Sequence, residues 1–186
     1  MLEAHKEIIH GREVVPDDWS VLRLAEGDAA DSVVVPEGKV IVPLTVWLAQ
    51  KETLAARAEL GVWIAADERF EALKGDADRF AVIAVDFPKF SDGRGYSIAY
   101  NVRKRLAYTG ELRAIGDVLR DQLFSMSRVG FNAYATRQDR SIHDALKGLT
   151  VFSETYQASV DDKLPLFRRH PRTAGAREHN DVGAGI

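Results

Sequence analysis

Cysteine is absent from the 186-residue chain. That absence excludes disulfides, thiolate nucleophiles and Cys-ligated zinc within this chain. It also excludes a conventional Cys-ligated iron–sulfur cluster. Any redox role would place the electrons on a bound organic cofactor or on a partner. Histidine is scarce where a site would need it: His5, His10, His170 and His179 lie near the termini, and only His143 falls in the main body. A multi-histidine metal centre is therefore not expected, and a Ser-His-Asp triad would have to recruit His143 or a terminal histidine. Apolar runs longer than a strand are missing, which argues against a membrane span. The first residues, Met1-Leu-Glu-Ala-His-Lys-Glu, lack the apolar stretch of a signal peptide, so a cytoplasmic location is the default expectation. A surplus of one charge is missing too. Lys plus Arg number 25 against 28 Asp plus Glu, a formal charge of −3, which suits neither a nucleic-acid coat nor an acidic tail.

What the chain does contain is an ordinary globular composition, 46% hydrophobic and 28% charged, enough for one domain with a core. Residues 1–60 read as an N-terminal β/α extension. Within it Glu13–Val15, Val33–Val35 and Val40–Val42 are strand-like, and Leu44–Leu60 has helical spacing. From Gly61 the pattern alternates regularly. Strands are predicted at 61–65, 80–87, 111–115 and 132–136. Between and after them, helices are predicted near 67–74, 95–107, 118–129 and 141–157. Arg103, Lys104 and Arg105 are expected to face mainly outward. This alternation is the signature of βαβ units, so residues 61–160 are expected to form a parallel α/β core, either an open sheet or a partial barrel. Residues 161–186, rich in Pro, Gly and Arg, read as an unstructured tail.

Ligands of parallel α/β folds bind beyond the carboxyl ends of the strands. Those ends bring together Asp86, Lys89, Asp92, Arg94 and Tyr96 after the second core strand. The third contributes Asp117, Arg120 and Asp121, and the fourth Arg137 and Arg140. The loop Ser91-Asp-Gly-Arg-Gly95 has two glycines before a helix start, a pattern suited to an anion, although it matches neither the phosphate-loop nor the dinucleotide motif. Asp86, Lys89, Asp92, Arg94, Tyr96, Asp117, Arg120 and Arg137 are the candidate anion or ligand contacts. Asp117 reads as a helix N-cap. Arg120, in a first helical turn where a cation is disfavoured, is expected to pair with Asp86 or Asp117 or to meet an anion. Asp86 needs a partner at the end of a buried strand. No catalytic residue, metal or cofactor is assigned.

Three stretches carry a further signal: AVDFPKFSDGRGYSIA (Ala84–Ala99), YTGELRAIGDVLRDQL (Tyr108–Leu123) and RVGFNAYATR (Arg128–Arg137). With VPLTVWLAQ (Val42–Gln50) they resemble a bacterial domain-of-unknown-function family. Its members are labelled uncharacterised proteins or oxidoreductases associated with sulfite reduction. The resemblance implies a setting in assimilatory sulfur metabolism and a partnership with a separate sulfite reductase, with electron transfer as one form it could take. It supplies no catalytic residues. Two alternatives stay open: a small stand-alone enzyme acting on an anionic metabolite, and a non-catalytic interaction protein.

Overall fold

The computed structural model describes residues 1–169. Nine strands form one sheet: β1 (Leu2–Ala4), β2 (Glu7–His10), β3 (Glu13–Pro16), β4 (Ser20–Leu22), β5 (Val40–Pro43), β6 (Leu60–Ile64), β7 (Val82–Phe87), β8 (Glu111–Gly116) and β9 (Ala133–Tyr134). Their spatial order is β1-β4-β5-β6-β7-β8-β9-β2-β3. From β4 to β9 every pairing is parallel, and the strands lie side by side in chain order. The α/β architecture with a parallel sheet therefore holds, and the sheet curls into a half-barrel.

The curl follows from the order of the strands. Successive right-handed crossovers between neighbouring parallel strands place all connecting helices on one face. That face packs against α1 (Leu44–Ala49), α2 (Lys51–Leu54), α3 (Arg94–Arg105), α4 (Arg120–Arg128) and α5 (Ile142–Leu146). The larger core joins Val42, Val62, Ile83, Val85, Phe87 and Leu112 from the sheet to Trp47, Val102, Leu123 and Met126 from the helices. The alternate strand residues Ile8, Val21, Ile41, Val82, Ala84, Ile115 and Ala133 form a second core containing no helical residue, edged by Trp19 and Trp63. That inner face is covered by the sheet's own curvature.

Closure is supplied by the N-terminus. β1 is the outer strand at one end of the sheet, whereas β2 and β3 extend the other end. Only three Cα steps of about 3.8 Å separate Ala4 from Glu7, so the two ends stand within about 11 Å of each other. The chain crosses this seam at residues 5–6 and returns between Pro16 and Ser20. Beneath the return lies an ion pair sealed from water. Arg113 of β8 reaches Asp17 at 2.9 Å, with side-chain exposures of 2% and 3%, and also holds Glu111 at 2.6 Å.

The sequence patterns locate most elements and misplace some ends. The predicted core strands 61–65, 80–87, 111–115 and 132–136 appear as β6, β7, β8 and a shortened β9. Val33–Val35 is not a strand: it has no sheet partner, and the Gln50 side-chain amide donates instead to the carbonyls of Ala30 and Val33 at 2.8 and 2.9 Å. The helix expected over Leu44–Leu60 breaks at Gln50 and ends at Leu54. The one near 67–74 is a 3-10 turn at Phe70–Leu73. The helix expected to start at Ser141 is capped by that residue's hydroxyl and ends at Leu146, followed by a 3-10 turn at Lys147–Thr150. Gly148 in that turn lies against the Arg120 backbone so closely that a Cβ would stand 2.2 Å from its carbonyl oxygen.

Arg103 faces inward rather than out. Its guanidinium donates to the carbonyls of Tyr108, Gly110 and Gly130 at 2.7–2.9 Å, tying together two loops that would otherwise leave those acceptors bare. Of the expected unstructured tail, residues 161–169 include a short α6 (Leu166–Arg169), and Arg169 pairs with Asp162 at 2.7 Å. Residues 170–186 lie outside the described residues.

Two substitutions test this account. Gly116 ends β8 at φ +90°, and a Cβ there would come within 2.5 Å of the Phe87 carbonyl oxygen. Gly116→Ala should lower stability by about 2 kcal/mol or more in urea unfolding, combining backbone strain with a steric clash. Arg113→Met should cost on the order of 3 kcal/mol, because it strands the buried Asp17 carboxylate. Adding Asp17→Asn should recover part of that loss, measured as a double-mutant cycle.

Candidate functional site at the strand ends

Asp86 faces the inner side of the curl, two residues beyond Ala84 on β7. Its carboxylate accepts from Arg23 Nη2 at 2.8 Å. Arg23 also holds Glu3 at 3.2 Å and stacks 4.7 Å above the Trp63 ring. The Trp63 indole in turn donates to the Leu22 carbonyl at 2.9 Å. The partner that Asp86 requires is thus an arginine just after β4, and the group ties β1, β4, β6 and β7 together at the mouth of the half-barrel.

The Ser91–Gly95 loop closes its charges on itself. Arg94 Nη2 lies 2.6 Å from Asp92, and the Arg94 backbone N–H donates to the same carboxylate. These hydrogen bonds pull the Asp92 carboxyl down to about 2. Lys89 is exposed on the same loop. Tyr96 stands edge-on to Phe87, with ring centroids 5.5 Å apart, and burial pushes its phenol pKa up. Asp117 is not an N-cap. Its Oδ2 accepts from the Phe90 N–H at 2.8 Å and Oδ1 pairs with Arg137 at 3.2 Å, while α4 begins three residues later, after Leu119. The Leu119 N–H donates to the Gln122 side chain, which leaves no capping task for Asp117. Arg120 pairs with Asp144 of α5 at 3.0 Å, not with Asp86 or Asp117, because the loop after β9 brings α5 against the start of α4.

Open space lies at the seam. A cleft of about 410 Å³ is walled by Ala4–Glu7 of the crossing segment and by Thr136, Arg137, Gln138, Arg140 and Ile142. Gln138 braces it by donating to the Ala4 carbonyl at 3.1 Å. The lining carries Lys6, Arg137 and Arg140 against one carboxylate, Glu7. Arg137 is held from behind. Its Nε and Nη2 bind Asp139, and its Nη1 binds Asp117. Three of its five N–H groups are thereby used and the others stay open to a ligand. Arg140 approaches Asp139 only to 3.8 Å and is 73% exposed. A second cleft, about 370 Å³, continues past Thr136 and Arg140 to Arg120, Asp121, Ser141 and Asp144.

Of the sequence candidates, Arg137 and Arg120 line these clefts and Asp117 orients Arg137. Asp86, Lys89, Asp92, Arg94 and Tyr96 line neither. His5, Lys6, Thr136 and Gln138 escape sequence reasoning altogether. The strand-like Glu13–Val15 pointed to a strand in the N-terminus, found as β3 (Glu13–Pro16). Nothing local showed that residues 4–7 would face the end of β9. Among the described residues no cluster of three or more metal-ligating side chains is present, and no helix is long and apolar enough to cross a membrane.

These features define a singly wound parallel α/β half-barrel with a cation-lined cleft at its seam, between the carboxyl end of β9 and the segment that joins β1 to β2. The chain belongs to the family described as bacterial protein of unknown function (DUF934), whose model matches residues 61–167, more than half its length. No curated protein and no solved structure matches it.

His5 generates a prediction. Burial lowers its pKa from 6.5, opposed by Glu3, Asp17 and the Thr136 carbonyl and assisted by Arg113. The unfolded chain therefore takes up this proton first. Stability should hold above about pH 6.5, fall as pH drops through 6.5 towards the lowered folded value, and flatten below it. His5→Gln should show a shallower loss over that window when unfolding midpoints are compared.

Proposed function

We propose that the protein is a cytoplasmic accessory factor of assimilatory sulfite reduction, holding a small oxoanion at the seam cleft and acting with a separate sulfite reductase. The observation that carries the ligand half of this reading is the lining of the cleft. Lys6 and Arg140 stand exposed on opposite walls, and the Arg137 guanidinium between them is fixed by two aspartates with N–H groups to spare. Oxoanions are recognised by such charge-assisted donors. The process and the partner are supported by the resemblance of Ala84–Ala99, Tyr108–Leu123 and Arg128–Arg137 to a family labelled in those terms. A cysteine-free chain cannot hold an iron–sulfur cluster through thiolates, so reduction itself falls to the partner.

Two measurements test the proposal. A deletion strain should grow poorly on sulfate or sulfite as sole sulfur source and recover on sulfide or cysteine. Normal growth on sulfite, with no second copy of the gene, defeats the metabolic assignment. Titration calorimetry with sulfite should show binding that Lys6→Ala or Arg140→Ala weakens by about 5-fold, roughly 1 kcal/mol. Unchanged affinity in both variants defeats the site.

A further inference from the structure

The two clefts adjoin but differ in charge, and the difference describes a ligand with two unlike parts. The first is lined by Lys6, Arg137, Arg140 and Glu7, with Arg137 already paired to Asp117 and Asp139 behind the lining, which leaves Lys6 and Arg140 as its exposed cations. The second presents Arg120 and Arg140 against Asp121 and Asp144, with the Ser141 hydroxyl beside them. Arg120 and Asp144 neutralise each other at 3.0 Å. Thr136 and Arg140 line both spaces, so one ligand can occupy the two with Arg140 at the divide.

Each half selects by its own chemistry. The cationic half suits a tetrahedral oxoanion, and two exposed cations match a dianion better than a monoanion. In the second half the charges balance, so it offers an anion no net attraction, and its two carboxylates can accept hydrogen bonds from neutral hydroxyl groups. Val118, Leu119 and Ala145 add an apolar wall for a carbon skeleton. Each volume alone falls in the range of small-ligand pockets, and sulfite would fill a small part of either. We propose that the paired clefts are one site for a phosphate monoester of a polyhydroxylated carrier, a sugar phosphate in chemical class. The phosphate lies between Lys6 and Arg140, and the hydroxyls lie on Asp121, Asp144 and Ser141. The assignment rests on the reading of the seam cleft as an anion seat and is independent of any role in sulfur metabolism.

Titration calorimetry on the full chain tests it with ribose 5-phosphate, inorganic phosphate and ribose as probes. Ribose 5-phosphate should bind about 10-fold more tightly than inorganic phosphate, and ribose should bind more weakly than either. Lys6→Ala should weaken the ester and inorganic phosphate by similar factors. Asp121→Asn, at an exposed position, should weaken the ester by about 5-fold and leave inorganic phosphate unchanged. Unaltered thermal midpoints would confirm that both variants are folded. Equal affinities for ester and phosphate, with Asp121→Asn indifferent, overturn the two-part site and leave the anion seat standing. Failure of the unmodified chain to bind either phosphate probe, or indifference of both to Lys6→Ala, overturns the anion seat as well.

Discussion

A parallel sheet whose strands follow one another in chain order receives its helices on a single face, and the other face must be hidden by different means. Here that requirement governs the molecule. The strand residues facing the helices are large: Val62, Ile64, Ile83, Val85, Phe87 and Leu112. The alternate positions include small ones, Gly61, Ala84 and Ala133, which let the inner face close upon itself. Even so, the six parallel strands do not complete a circle. The N-terminal strands make up the shortfall, β1 joining β4, β2 joining β9 and β3 joining β2, with the buried Arg113–Asp17 pair fastening the return crossing to β8. A buried ion pair is an expensive fastener compared with apolar packing. Its geometry specifies which loop lies over which strand, a selection that a greasy contact would make less sharply.

The strand ends carry many charges, and their arrangement matters more than their number. Asp92 occupies Arg94, Asp144 occupies Arg120, and Arg23 occupies Asp86. These groups spend their charge on holding loops. Arg137 differs in its place: held by two aspartates, it lines the seam cleft. Lys6 and Arg140 complete the contrast from either side of the seam. The edge therefore separates into a braced part around Asp86 and Asp92 and a hollow part, the two clefts that Arg120, Arg137, Arg140 and Lys6 line.

Local patterns in the chain disclosed the parallel core because β6 and β7 are compact apolar runs and α3 and α4 carry clear helical periodicity. Asp117 shows where such reasoning stops. A carboxylate three positions before a helical run looks like a cap, yet this one is taken by the Phe90 N–H from a loop 27 positions away. Arg120 likewise meets a partner 24 positions away. Arg103 was read from helical geometry alone, which cannot register three carbonyl groups arriving from neighbouring loops. The cleft itself was illegible for the same reason. Half its lining comes from residues 4–7, which acquire meaning only when the sheet bends far enough to bring them beside Thr136 and Arg137.

Gln138 and the Ala4 carbonyl meet across 134 positions of sequence. During synthesis the crossing segment leaves the ribosome long before its neighbour β9, which follows only after the intervening residues have emerged. The polar strands β2 and β3 can pair with each other early as a hairpin, but such a hairpin alone is only marginally stable in water. The seam must therefore close late, at the cost in chain entropy of joining distant residues. The cleft forms in that same step, so a chain whose crossing segment has yet to dock could assemble the parallel sheet and still lack the cleft.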